Sequence, residues 1–196
     1  MSSATPRPST RDLLLDAAAE AVLSGGWHRA RMADVAAAAG VSRQTLYYEF
    51  GSKERLAEAL ALREAERYMD GADAAREGHD SSPAESIRAA AEYTLSAAAG
   101  NALLKAVLTD DAGDLLPYVT TRAEALHAAA ADRCARSLLE RWPSLPVDDV
   151  RTVADAVTRL TFSHLVLPGG RPDQVAADLA RLVDRVLPVT PSGGTP

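Results

Sequence analysis

Ala36 and Gly40, four residues apart inside the stretch RMADVAAAAGVSRQTLYYEFGSK, restrict what this chain can fold into more than any other feature. Two short helices that cross steeply need a small side chain where their backbones approach, and Ala36 supplies it. The turn between them needs a positive φ, which glycine adopts at little cost, and Gly40 supplies that. The pair predicts a helix, a tight turn and a second helix over residues 31–50, with the cap of a third following. Val35, Ala39, Val41 and Leu46 fall inward as a small core, and Ser42 stands where the second helix needs an N-cap. That helix, residues 43–50, turns Arg43, Gln44, Thr45, Tyr47 and Tyr48 outward. Each can hydrogen-bond to a base edge or a phosphate, or touch a thymine methyl. This is the form of a DNA-reading helix-turn-helix. A plain helical hairpin with a solvated polar face carries the same Ala–Gly spacing.

Net charge at first argues against a nucleic-acid partner, because the chain carries −6. The charge is unevenly placed. Residues 1–55 hold seven Lys/Arg and six Asp/Glu, so the acid lies in the remainder. A segment at +1 is still weak for DNA, so affinity is expected to need two copies and to fall with salt. Abundant alanine, few aromatics and short β-branched runs predict an all-α fold of about nine helices. The single cysteine, Cys134, allows no internal disulfide. With no basic-then-apolar leader and no apolar run of about 18 residues, this reads as a cytoplasmic chain without a membrane partner.

An enzyme needs a reacting constellation, and none is written here. There is no Gly-rich phosphate loop, HExxH, CxxC or Gly-x-Ser-x-Gly. Ser163 and His164 are adjacent on a predicted helix and face different ways, and His79, His127 and His164 stand singly. No metal or cofactor is expected.

In chain order, residues 1–9 read as a flexible arm and 10–55 as the helix-turn-helix domain. Residues 56–187 read as a second helical domain and 188–196 as a disordered tail. Thr10 is the expected cap of a helix to about Ser24 with Leu14, Ala17, Ala18 and Ala21 inward, ended by Gly25-Gly26, with Trp27 packed under the turn. Ser52 is the expected cap of a long helix to about residue 76. Lys53 at its start is placed either to meet a phosphate or simply to be solvated. Leu56, Leu60, Arg63 and Arg67 follow on successive turns, so one face passes from apolar to charged, and such an element can transmit movement along its length. Ser82-Pro83-Ala84-Glu85 is a strong helix start, with an N-cap, proline at the first position and glutamate at the third. Further helices are expected over 101–108, 117–142, 147–165 and 172–187. Val153, Val157, Leu160 and His164 recur at helical spacing in one of the last pair, and Val175, Leu179, Leu182 and Val186 in the other. Leu167-Pro168-Gly169-Gly170 joins them.

Gly40-Val41-Ser42, Leu46-Tyr47, Phe50 and Ser52-Lys53, in that order and spacing, resemble the DNA-binding domain of the TetR family of transcriptional repressors. The resemblance is specific over about residues 11–62. It implies that Arg31, Ser42, Arg43, Gln44, Thr45, Tyr47, Tyr48 and Lys53 meet double-stranded DNA. One departure is Arg31, where the family usually has a threonine that caps the helix and touches a phosphate. Arginine cannot cap in that way, though it can reach a phosphate. The resemblance further implies that the last helix pair meets its copy in a four-helix dimer interface, and that a small apolar effector bound in the second domain releases the DNA. Candidate effector walls are Tyr93, Leu103, Leu104, Val107, Leu108, Leu115, Leu116, Tyr118, Leu126 and Phe162. The stretch Leu115-Leu116-Pro117-Tyr118-Val119-Thr120-Thr121-Arg122 is similar to one in a subgroup of the family, some of whose members control lipid or alkane oxidation and bind long-chain acyl molecules. Arg122 is placed either to meet a carboxylate ligand or to pair with an acid such as Asp114. An activator of the same fold, or a helical adaptor without DNA binding, remains the alternative function.

Overall fold

Alanine-rich segments broken by glycine and proline leave helix-on-helix packing as the way to bury apolar surface, and the computed structural model is built so. It describes residues 8–108, 115, 117 and 123–187. The expected tail, most of the expected arm, and Leu116, Tyr118, Thr120, Thr121, Arg122 and Asp114 lie outside them. Among the described residues there are nine α-helices and one short 3-10 turn: α1 Thr10–Gly25, the turn Trp27–Arg29, α2 Met32–Ala38, α3 Arg43–Phe50, α4 Lys53–Arg76, α5 Pro83–Ala99, α6 Ala102–Leu108, α7 Glu124–Arg141, α8 Val147–Val166 and α9 Pro172–Val186. The chain divides into two units, Met1–Glu64 with Ala102–Ala123, and Ala65–Asn101 with Glu124–Pro196.

In the first unit, the N-cap of α1 is Ser9, one residue before the expected Thr10. The Ser9 hydroxyl accepts from the Asp12 backbone N–H at 3.1 Å, and the Asp12 carboxylate accepts from the Ser9 N–H at 3.2 Å. Thr10 would have had apolar Leu13 three residues on and no such reciprocal bond, so Ser9 wins. The Ser9 hydroxyl also donates to the Asp12 carboxylate at 2.6 Å, and this bond, with that from the Ser9 N–H, holds the Asp12 carboxyl below its usual range. Leu14, Leu15, Ala17, Ala18 and Val22 of α1 are buried, and Ala21 only partly so. They share a core with Trp27, Val35, Ala36, Leu46, Phe50, Leu56 and Leu60. Ser52 caps α4 as expected, its hydroxyl accepting from the Arg55 N–H at 3.2 Å. Arg63, one turn beyond Leu60, reaches back to α1 and pairs with Asp16 at 2.8 Å. α6 packs on α1, and Val107 and Leu115 belong to the same core.

In the second unit, α5 starts as its sequence predicts, the Ser82 hydroxyl accepting from the Glu85 N–H at 3.2 Å with Pro83 following. α9 lies along α5 through Ala91, Leu95, Val175, Ala176 and Leu179. α7 packs on α8 through Cys134, Ala135, Leu138, Val150, Val153, Ala154 and Val157. The helix expected over 117–142 is shorter, Glu124–Arg141, with Ala123 buried and non-helical before it. Arg133 ties α7 to the second half of α4 through Asp70, at 2.7 Å, and Asp73. Burial works against the Arg133 charge, but its hydrogen bonds to the two carboxylates outweigh that and raise its pKa. Burial also pushes the Cys134 thiol up, so it sits as a neutral core side chain. No helix among the described residues is long and apolar enough to cross a membrane.

Candidate nucleic-acid interface

The turn that sets the angle between α2 and α3 is a glycine-ended helix stop. Gly40 has φ +69°, its N–H donates to the Ala37 carbonyl at 3.1 Å, and the Val41 N–H donates to the Ala36 carbonyl at 3.0 Å. These two bonds meet carbonyls that α2 would otherwise leave open, and they require the left-handed residue that only glycine takes cheaply. Ser42 then caps α3, its hydroxyl accepting from the Thr45 N–H at 3.0 Å and pairing with the Thr45 hydroxyl at 2.8 Å. Leu46 is fully buried and Phe50 nearly so, which fixes the rotation of α3 about its axis. The opposite face carries Arg43, Gln44, Tyr47 and Tyr48 to solvent, with Thr45 half-buried at its edge. Tyr48 is 87% exposed, far more than a packing role requires.

Arg43 does not hang free. Its guanidinium lies 5.3 Å from the Tyr47 ring centroid, one helical turn on, with Nη2 3.5 Å from the phenol oxygen. Stacking of a planar cation on an aromatic face removes part of the side-chain freedom that binding would otherwise remove. Arg43 and Tyr47 thus present one combined donor surface.

The structure places Lys53 differently from a freely solvated first-turn lysine. It is half-buried, and its Nζ donates to the Trp27 carbonyl at 2.7 Å and the His28 carbonyl at 3.4 Å, 5.1 Å from the Trp27 ring centroid. Two of its three N–H donors are spent fastening the 3-10 turn to the start of α4. The helix terminus itself is already served: a backbone N–H and the Ser52 hydroxyl hold the Glu54 carboxyl below its usual range. Nothing in local sequence pairs residues 27 and 53. The signal was only that Trp27 is a large side chain expected to pack under the turn. Arg31 is exposed at the N-cap of α2 and makes no side-chain cap, as its departure from threonine implied. Arg11 of α1 lies over the Phe50 ring at 4.7 Å, a contact the sequence reading did not single out.

The other expected sites are scattered across the two units. Val107 and Leu115 are buried in the core that α1 provides, with Leu103 packed against it, and Leu104 and Leu108 are half-buried. Leu126 is buried and Phe162 half-buried in the second unit. Tyr93 is 39% exposed and packs its phenol on Gly71 of α4, where an added Cβ would fall 2.0 Å from the hydroxyl. Leu116, Tyr118 and Arg122 are outside the described residues. Of the stripe expected to face a second copy, Val153, Val157, Val175 and Leu179 instead point into the protomer's own core. The helical period is the same for either burial, so spacing alone could not separate them. Leu160, Leu182 and Val186 are exposed, joined by Val166 and Leu167. His164 is half-buried with its ring against Gly169. Among the described residues no cluster of His, Cys, Asp or Glu could hold a metal ion.

Residues 14–60 match the family described as bacterial regulatory proteins, tetR family. Residues 83–185 match the one described as bacterial Tetracyclin repressor, C-terminal domain. The HTH-type transcriptional regulator AlkX of Mycobacterium tuberculosis is 34% identical over 178 residues, 90% of this chain and 84% of that protein. Among solved structures, the TetR family repressor AlkX from a Dietzia species, implicated in biodegradation of n-alkanes, superposes with a TM-score of 0.76. It is 30% identical over 92% of this chain and 96% of its own. A TetR-family regulator from Mesorhizobium loti, at 18% identity and a TM-score of 0.65 over 92% of this chain and 97% of its own, shares the fold.

Proposed function

The chain belongs to the TetR family of DNA-binding transcriptional regulators, and on that premise we propose that it is a homodimeric repressor that reads a palindromic operator with α3 and lets go when an aliphatic effector binds. The observation that carries this is the two-sidedness of α3: Leu46 and Phe50 locked inward, and the Arg43–Tyr47 stack, Gln44 and Tyr48 held outward. A helix so oriented offers bidentate donors to base edges in a major groove. Ser42, Thr45, Arg31 and the remaining Lys53 donor are suited to phosphates. Two linked heads offset the weak charge of each one. The exposed Leu160, Leu182 and Val186 on α8 and α9 supply apolar surface for the second copy. An aliphatic effector is favoured by similarity to a repressor implicated in n-alkane biodegradation and by the apolar side chains of Leu126 and Phe162 in the second unit. Leu103, Ala106, Val107 and Leu115, from the segment between α5 and α7, pack in the α1 core. An effector that disturbs this segment would shift the heads. Half-sites recur at about 34 Å along the duplex, so a few ångströms suffice to disengage one.

Selection of genomic fragments by the purified protein tests the reading. It should recover an inverted repeat, bound far more tightly than either half alone and with affinity falling steeply as salt rises. Recovery of unrelated fragments without twofold symmetry would sink it.

Two side chains on this surface should behave differently. Tyr48→Ala should weaken operator binding and leave thermal unfolding unchanged, because the side chain touches little else. Lys53→Ala should weaken binding and also lower the stability of the N-terminal unit, by about 1–2 kcal/mol for a charged donor to backbone carbonyls that stays partly solvated. Unchanged unfolding of Lys53→Ala would mean that its bonds to Trp27 and His28 carry no weight. Arg43→Ala should relax base preference more than it weakens binding to random DNA. Equal losses on both would make Arg43 a phosphate contact.

A further inference from the structure

His127 of α7 is half-buried in the second unit, with one ring nitrogen near a carboxylate and the other without a hydrogen-bond partner. Its side chain is 12% exposed, and Nδ1 lies 3.7 Å from an Asp155 carboxylate oxygen on α8. Asp155 is itself held by Arg159, with Nε at 2.8 Å and Nη2 at 3.2 Å. The Phe162 ring stands edge-on to the imidazole, 6.0 Å between centroids. Nε2 is buried and has no hydrogen-bond partner. A buried polar atom left dry is costly enough that native structures seldom keep one without a function, a water or a ligand.

Which partner fits is set by the charges around the ring. The Asp155 carboxylate faces Nδ1 and favours the tautomer with its proton there, which turns a lone pair outward at Nε2. Hydrogen bonds from Arg159 hold the Asp155 carboxyl below its usual range, so this carboxylate stays charged. Glu124 also acts on Arg159, so the group of Glu124, Asp155 and Arg159 sums to one negative charge. A carboxylate brought to Nε2 would set lone pairs against a lone pair and add charge of the same sign. A hydroxyl brings a donor and no charge. An apolar chain end brings nothing for Nε2 to bond.

We propose that His127 Nε2 accepts a hydrogen bond from a terminal hydroxyl of the effector, so that the molecule sensed is an aliphatic alcohol rather than the hydrocarbon or the carboxylate. This rests on the reading that the C-terminal helices take an aliphatic effector, and it narrows that reading to one chemical class.

The test is thermal unfolding and direct titration of the full-length protein with 1-decanol, decanoate and n-decane. The alcohol should bind tightest of the three. His127→Leu should weaken 1-decanol binding about tenfold, the cost of one lost hydrogen bond in a dry site, and leave n-decane within a factor of two. His127→Gln, which keeps a hydrogen-bonding terminus, should recover most of the alcohol affinity. Equal binding of alcohol and alkane, preference for decanoate, no binding of any of the three, or a His127→Leu variant that keeps the alcohol preference would each overturn the proposal. Should His127→Leu fail to fold, the ranking of the three ligands on the parent protein still decides it. Gel-shift titration of the operator, run separately without ligand, reports whether the regulator reading itself holds.

Discussion

Leu182→Glu combined with Val186→Glu is expected to leave a folded monomer whose operator affinity is lower by roughly two to four orders of magnitude, the loss that comes with untethering two binding heads. Both side chains sit on α9 and are about half exposed in the protomer, at 49% and 53%. Their substitution removes little internal packing. The inward face of the same helix, Val175, Ala176, Leu179, Ala180 and Val183, is what holds α9 to its own unit. Two carboxylates placed on the outer stripe would each have to be desolvated, unpaired, against the same pair on a partner, which disfavours association strongly. Sedimentation should show a single protomer with an unchanged unfolding temperature at low concentration. A dimer that survives the double substitution would mean that α9 is not the contact. A control follows from the corrected placement of the stripe. Leu179→Ala should cost stability, because that residue is 3% exposed inside the protomer.

The second large effect is expected at Leu46. Its side chain is fully buried beneath α3, in the core shared with Val35, Ala36, Trp27 and Phe50. Truncation to alanine in such a site costs about 2–5 kcal/mol, part from lost burial and part from the cavity left behind. For a unit this small that is a large fraction of total stability. The substitution alters no outward side chain, yet operator binding should collapse, because the angle of α3 is set by what lies under it. Dimerisation should persist, since the surfaces assigned to it belong to the other unit. Calorimetry should therefore show a lowered transition for the N-terminal unit while sedimentation remains that of the parent. If Leu46→Ala unfolds like the parent and still shifts operator DNA, the inward face of α3 has been misassigned.

Much of the first unit was legible in the sequence because its determinants are local. Ser42, Gly40 and Ser52, like Ser82 in the second unit, each act within five residues of their partners, so caps and stops could be placed from spacing alone. The cap of α1 was missed by one residue because Ser9 and Thr10 are both able caps. The deciding partner, Asp12, had to be read together with Ser9. The start of α7 was set too early, since helical spacing does not mark where a buried non-helical residue such as Ala123 interrupts it.

What the sequence determined by itself was the sequence of helices, the turn at Gly40 and the outward chemistry of α3, all consequences of backbone preferences and capping that act within a turn or two. Tertiary structure alone decided three things: that Lys53 is bound to the carbonyls of Trp27 and His28, that Val107 and Leu115 complete the core of α1, and that half of the α8–α9 apolar stripe is consumed inside the protomer. The physical reason is common to all three. Helical periodicity says that a face must be buried, but not against what, and a long side chain finds its acceptor by where the backbone passes in space rather than by its place along the chain.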